Sequence, residues 1–349
     1  MTEVLPNLLR TVEYEGSWSA EPIPGDASNR SWFRVKAGEK TFIVMLLAEG
    51  FNSLAEQNTK TNRKITEPPI VDLERYFSNH GVRIPKLLAQ DVHRGIFLME
   101  DFGDRLLQDV VYAGKPTAIR PLYENALDQL ERIAVIAPND PKSSIAFARS
   151  FDLNLFNWEF THFVEFAIDK RIPGGPKPTD RQTILTEFEK LTAEYLTWEK
   201  VIVHRDYHSR NLMVLSANEV GVIDFQDALL GPALYDLASL LRDSYARLDP
   251  KMQDELVDRY RNQLKAKKIK GTASREKFRR SFDWMGIHRN LKAAGRFCYF
   301  DSEKGNRRYL PHVPRTLGYV RETLDRYREL KDLRHALLPY FDELIRSCG

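Results

Sequence analysis

Cysteine is nearly absent. Two residues in 349, Cys298 and Cys348, are too few for a disulfide framework and lack metal-ligand spacing. A reducing, cytoplasmic setting is the expectation. Long apolar runs are missing as well. No stretch approaches the roughly 18 residues of a spanning helix, and Glu3, Pro6 and Arg10 leave no uninterrupted apolar segment near the start of the chain. A membrane partner is therefore not expected. Charge of one sign is also lacking: 52 basic against 49 acidic residues leave +3, too little to argue for nucleic acid as a partner. The basic run at 265–270 reads as a solvated helix end. Internal repeats and low-complexity segments are not seen.

What is present suits a large globular enzyme. With 42% hydrophobic residues the chain can bury a sizeable core, and its length suits two domains or one two-lobed molecule. The first hundred residues read as short strands at 18–23, 31–36, 41–47, 86–89 and 95–99, in a twisted antiparallel sheet. A helix at 69–80 interrupts them, ended by Gly81. After Phe102-Gly103 the periodicity lengthens. Helices are expected at 123–136, 153–169, 180–198, 251–264 and 277–298, and at 320–345 with interruptions. The expected fold is α+β and two-lobed, with a small β-rich lobe at 1–101 and a larger, mainly helical lobe at 102–349. A ligand would sit between them.

Chemistry concentrates in the middle of the second lobe. The apolar strand Val201-Ile202-Val203 runs into a loop, His204-Arg205-Asp206-Tyr207-His208-Ser209-Arg210-Asn211, and a second apolar run, 212–215. A loop this polar between apolar walls is either a strained turn or a site. Thirteen residues after Asn211, another apolar run ends at Asp224. A hairpin of 212–215 with 220–223 brings Asn211 and Asp224 together at its open end, with Asp206 on the segment feeding it. One base-like carboxylate beside an Asn and Asp pair of oxygen ligands suits Mg²⁺ and phosphate. Phosphoryl transfer needs positioning and charge neutralisation, plus a carboxylate for the proton of the attacking hydroxyl.

These residues resemble a known family. His204-Arg205-Asp206 with Asn211, then Ile223-Asp224-Phe225, resembles the catalytic loop and metal motif of the protein-kinase-like fold. The continuation Gly231-Pro232-Ala233-Leu234-Tyr235-Asp236-Leu237-Ala238, without glycine after Asp224-Phe225, resembles the aminoglycoside phosphotransferases and choline kinases. That resemblance implies Asp206 as catalytic base, Asn211 and Asp224 as Mg²⁺ ligands, and Asp236 as a carboxylate bracing the loop. It also implies ATP as donor. Gly25, Ser28, Asn29 and Arg30 then match the loop over the phosphates, although in isolation they also read as a hairpin turn. Met99, Glu100 and Phe102 match the adenine-binding hinge. One departure stands out: the position that usually carries an ATP-positioning lysine is Met45. Arg30, Arg34, Lys36 and Lys40 are candidate replacements, and Glu74 a candidate partner on the following helix.

Within that family, Gly25-Asp26-Ala27-Ser28, Asp224-Phe225-Gln226-Asp227, Leu240-Leu241-Arg242-Asp243-Ser244-Tyr245 and Arg289-Asn290-Leu291-Lys292 resemble bacterial anomeric kinases of N-acetylmuramate and N-acetylglucosamine, which act in cell-wall recycling. The resemblance implies a small sugar as substrate. Gln226 and Asp227 then either hydrogen-bond sugar hydroxyls or cap the next segment. Arg242 and Arg289 either meet a sugar acid, or pair locally and face solvent. Trp284 and His288 read as core. The competing expectations are a kinase of another small alcohol (an aminoglycoside, choline or homoserine) and a nucleotide-binding pseudokinase, to which Met45 lends support.

Overall fold

A computed structural model describes residues 3–23, 30–47, 67–135 and 143–349. Five antiparallel strands build the first part: β1 (Trp18–Ile23), β2 (Arg30–Ala37), β3 (Lys40–Leu47), β4 (Leu87–Asp91) and β5 (Ile96–Glu100), in the order β1-β2-β3-β5-β4. Gly38, at the β2–β3 turn, takes φ +63°, a conformation glycine adopts without strain. β5 is buried on both faces, so its sequence is a continuous apolar run instead of an alternation. Ile96 and Leu98 face a small outer core with Val35 and Val44. The helix Leu5–Arg10, which short local periodicity did not announce, closes that core with Leu5, Leu8 and Leu9. Phe97 and Met99 face the other way, into the main core.

The helix Pro69–Asn79 lies against the sheet's inner face and projects Phe77 onto Phe225, ring edge to ring face at 6.1 Å between centroids. It ends one residue before the expected His80, followed by Gly81 at φ +73°. The mainly helical remainder follows: Pro116–Ala134, Leu153–Phe163 continuing as a wider turn over Val164–Asp169, Pro178–Leu196, Pro250–Ala266, Arg275–Lys304 and Val313–Arg326. The region expected at 320–345 divides into three helical pieces, because the chain turns extended at Tyr327 and meets Pro339.

Two two-stranded ribbons sit among the helices. β6 (Lys200–Val203) pairs with β9 (Leu229–Pro232), and β7 (Leu212–Val214) pairs with β8 (Val220–Val222). β9 was not expected, since its Gly-Pro end masks the strand pattern. The 30-residue helix Arg275–Lys304 runs through the middle of this region, buried almost all round from Phe282 to Leu291. Its buried stretch includes Asp283, His288, Arg289 and Asn290, so the core of this part contains charge.

Candidate active site

The loop between β6 and β7 is held at both ends by buried carboxylates from one short segment. Asp236 accepts the backbone N–H groups of His204 at 2.5 Å and Arg205 at 3.0 Å. Asp243 accepts the N–H of Ser209 at 2.8 Å, and that of Tyr245 at 2.7 Å. Burial pushes both carboxyls above the ordinary range, against the hydrogen bonds they receive. The Asp236 clamp holds a conformation that side chains resist, Arg205 at φ +79°, and Asp224, on the segment after β8, lies at φ +62°. Asp236 was expected as a brace. Asp243 was in view only as part of a motif, with no role assigned.

Asp206, Asn211 and Asp224 are joined through short links. Asn211 donates its Nδ2 to the carbonyl of Asp206 at 2.8 Å, which leaves Oδ1 as the oxygen it can offer elsewhere. Ile223 donates its N–H to the carbonyl of Asn211 at 3.0 Å, and its own carbonyl lies 2.9 Å from His204 Nε2. The hairpin beneath is tied to the junction of the two parts: Val222 N–H bonds the carbonyl of Arg83, and Val214 N–H that of Arg105, each at 2.8 Å. Gly221 is required there, because a Cβ would fall 2.2 Å from the Phe102 ring.

Arg30, at the start of β2, reaches this edge from the sheet. Its Nη1 lies 3.2 Å from Asp224 Oδ1 and its Nη2 3.6 Å from Asp227 Oδ2. Gln226 donates to the same Asp224 oxygen at 2.6 Å, while its Oε1, buried, has no partner among the described residues. Burial raises the Asp224 carboxyl, with Arg30 pulling it down and Asp227 pushing it up. Of the four cations considered in place of a lysine at Met45, Arg30 is the one that meets the site. Arg34 pairs with Asp101 and Asp104, Lys36 with Glu21, and Lys40 is exposed at the far end of β3. Met45 itself is fully buried, between Trp32 and Phe97 in register. Glu74 bonds Ser78 on its own helix.

A charged cluster lies behind Asp206. Arg289 Nη2 and Lys292 Nζ approach Asp206 Oδ1 at 3.4 and 3.3 Å. Lys292 also lies 3.4 Å from Glu159, which is 1% exposed on the otherwise apolar buried face of its helix. Arg205 and Tyr235 contact the same Glu159 carboxylate at 3.5 and 3.3 Å. His288 lies 3.2 Å from it but is neutral, since burial drives its pKa down to about 3. Three cations thus face two carboxylates. Burial alone would raise Asp206, but Lys292 and Arg289 hold it well below the ordinary carboxylate range. Glu159 was not anticipated, because one acid among Leu155, Phe156, Phe160 and Phe163 reads as a solvent-facing position.

The remaining expected residues scatter. Gly25, Ser28 and Asn29 lie outside the described residues. Met99 packs in the main core. Glu100 donates its N–H to the carbonyl of Lys86 and holds Arg83 with both carboxylate oxygens, at 2.6 and 2.8 Å. Phe102 carries the Arg83 guanidinium 4.4 Å above its ring. Arg242, almost wholly buried, pairs with Asp283 and donates to the carbonyl of Tyr319 at 3.1 Å, so its guanidinium is committed inside the helical part. Arg289 is buried as well, bonded to Ser239 Oγ at 2.8 Å and Tyr235 OH at 3.0 Å in addition to Asp206. Trp284 and His288 are core residues.

Comparison with known proteins identifies the fold and the family. Solved structures of similar fold include a choline kinase from Streptococcus pneumoniae (TM-score 0.60, 17% identity, covering 94% of this chain and 99% of that one). Another is an aminoglycoside phosphotransferase with ADP bound (TM-score 0.56, 14% identity, covering 91% and 97%). The two-lobed architecture is thus the protein-kinase-like one. Among curated proteins, the N-acetylmuramate/N-acetylglucosamine kinase of Neisseria meningitidis serogroup B is 31% identical, over 96% of this chain and 94% of that protein. The protein of the same name from Pseudomonas putida is 29% identical, over 95% and 93%. The profile of the phosphotransferase enzyme family matches residues 19–270, from the first strand to beyond the catalytic loop, and the chain belongs to that family.

Proposed function

We propose that the protein transfers the γ-phosphoryl group of ATP to the anomeric hydroxyl of N-acetylmuramate or N-acetylglucosamine, in the cytoplasm. Relatives bearing that activity in their names align over nearly the whole chain. The observation that carries the mechanism is the linked set Asp206, Asn211 and Asp224 at one edge of a clamped hairpin. In this reading Asp206 accepts the proton of the attacking hydroxyl. An anomeric hydroxyl is more acidic than an ordinary alcohol, so a carboxylate held ionised is an adequate base.

Asn211 Oδ1 and the Asp224 carboxylate fit a hard divalent cation: both are oxygen donors, and the Asn211 amide is turned by its bond to Asp206 so that Oδ1 is the available atom. Bound there, Mg²⁺ would neutralise phosphate charge during transfer. Arg30, already beside Asp224, would meet the phosphates in the role a lysine at Met45 cannot fill. Glycine, serine and asparagine at 25, 28 and 29 would cover them, and the backbone around Met99, Glu100 and Phe102 would face the adenine. Gln226 and Asp227 border the acceptor side, where the unpartnered Gln226 Oε1 can accept from a sugar hydroxyl. Arg289 joins them through Asp206. Arg242 supports the helix behind and does not touch the acceptor in this reading.

Cationic acceptors such as choline or an aminoglycoside fit less well, since Arg289 and Lys292 stand beside the base. The test is a Mg²⁺-ATP transfer assay over N-acetylmuramate, N-acetylglucosamine, an aminoglycoside and choline, read by phosphorus NMR. A sugar 1-phosphate is expected; transfer to the amines alone would refute the reading.

A further inference from the structure

Glu159 poses a problem that the assigned roles do not solve. Burying a carboxylate costs several kcal/mol even after relaxation, and Leu155, Phe156, Phe160 and Phe163 show that this helix face is otherwise apolar core. The partners of Glu159 supply the answer. Lys292 Nζ lies between Glu159 Oε1 at 3.4 Å and Asp206 Oδ1 at 3.3 Å, with Tyr235 OH at 3.3 Å as its third neighbour. Tyr235 in turn spans Glu159 and Arg289. Both cations that touch the Asp206 carboxylate touch the same oxygen, Oδ1. Among the described residues nothing bonds Oδ2, and the Asp206 side chain is 42% exposed. A carboxylate with one oxygen tethered from behind and the other open in front is oriented to receive a proton.

Resting on the reading of Asp206 as the base, we infer that Lys292 is a positioning residue for phosphoryl transfer, an ammonium anchored on the buried Glu159 that fixes Asp206 Oδ1. The acceptor proton then passes to Oδ2, the acceptor oxygen bonds to the γ-phosphorus, and the bond from that phosphorus to the ADP oxygen breaks. Lys292 keeps its protons throughout. Arg289 is the lesser tether, because its shorter bonds go to Ser239 and Tyr235.

The experiment compares Lys292→Met, Lys292→Gln and Lys292→Arg with wild type in the full-length protein. Lys292→Met is expected to lower kcat about 100-fold, the scale of a misplaced catalytic group, with KM for ATP and for either sugar nearly unchanged. Lys292→Arg should restore much of the rate. Lys292→Gln, which preserves hydrogen bonding, serves where the methionine variant does not fold. Adding Lys292→Met to Asp206→Asn should cost little more than Asp206→Asn alone, because groups acting as a unit are not additive. Loss confined to the acidic sugar, a rise in sugar KM at constant kcat, or fully additive losses would each overturn the inference. If wild type phosphorylates neither sugar, the substrate reading fails by itself. The same ratios are then expected in Asp206-dependent ATP hydrolysis with water as acceptor.

Discussion

At the scale of single residues, the proposed site divides between groups that would touch reactants and groups that hold them. Asp206→Asn removes the proposed proton acceptor but keeps the shape. It is expected to lower kcat by about 10²–10⁴-fold with little change in the dissociation constant for ATP, read by steady-state kinetics beside calorimetry. Arg30→Met removes the guanidinium that faces Asp224 and Asp227. It should raise KM for ATP several-fold more than it raises KM for the sugar, and equal effects on both would remove Arg30 from the nucleotide side. Asp206, Asn211 and Asp224 could be singled out from the sequence because phosphoryl transfer, as proposed, needs those residue types at those separations. Arg30 could not be chosen over Arg34 or Lys36, which sit near it along the same strand. Only the distance to Asp224 separates them, and that distance is a property of the packed lobes. Glu159 gave no signal at all, since a single acid in an apolar helix has a solvent-facing explanation until its surroundings are seen.

Elements show the same division. β5 and the helix Pro69–Asn79 were readable from local pattern, punctuated by Gly81 and Gly95. β9 was not, because Leu229-Leu230-Gly231-Pro232 carries no alternation and ends in Gly-Pro, and its pairing with β6 and with Ser150 is a matter of tertiary contact. The helix Arg275–Lys304 starts earlier and ends later than its apolar period suggests, being capped by Ser274 at one end and Gly305 at φ +63° at the other. Its buried Asp283 gathers Arg242, Arg279, Arg326 and Tyr327, which ties three elements together. Arg242→Met removes the wholly buried partner of Asp283 but leaves Arg279 and Arg326 beside it, so it is expected to cost less than the roughly 3–5 kcal/mol of a buried charge left uncompensated, and to lower the melting temperature. A melting temperature unchanged in Arg242→Met would show the pair to be dispensable. Burial would raise the Asp283 carboxyl, yet its arginines hold it below the ordinary value. Its contribution is therefore present above the unfolded carboxylate pKa of about 4 and lost as pH falls through the folded one. The stability gap between wild type and Asp283→Asn should accordingly narrow as melts are moved from neutral to acid pH.

At the scale of the whole molecule, the two lobes meet through Arg30 with Asp224 and Asp227, through Arg34 with Asp104, and through one core shared by Met45, Phe97 and the helical part. A nucleotide held between them should stabilise both: saturating Mg²⁺-ATP at about 100 times its Kd is expected to add about 2.7 kcal/mol. The matching rise in melting temperature should be much smaller in Asp224→Asn, and an equal rise in that variant would place the metal elsewhere. Sequence by itself determined most of the strands and helices, though not β9 or the helix Leu5–Arg10, together with the polar loop between two apolar runs and the residue types that phosphoryl transfer requires, because each is written in local periodicity and spacing. Tertiary structure alone decided which arginine faces Asp224, that Arg242 is spent inside the core, and that Lys292 and Glu159 stand behind Asp206. Those outcomes depend on which helix faces come within about 3–4 Å of one another, and packing between distant segments sets that separation while chain spacing does not.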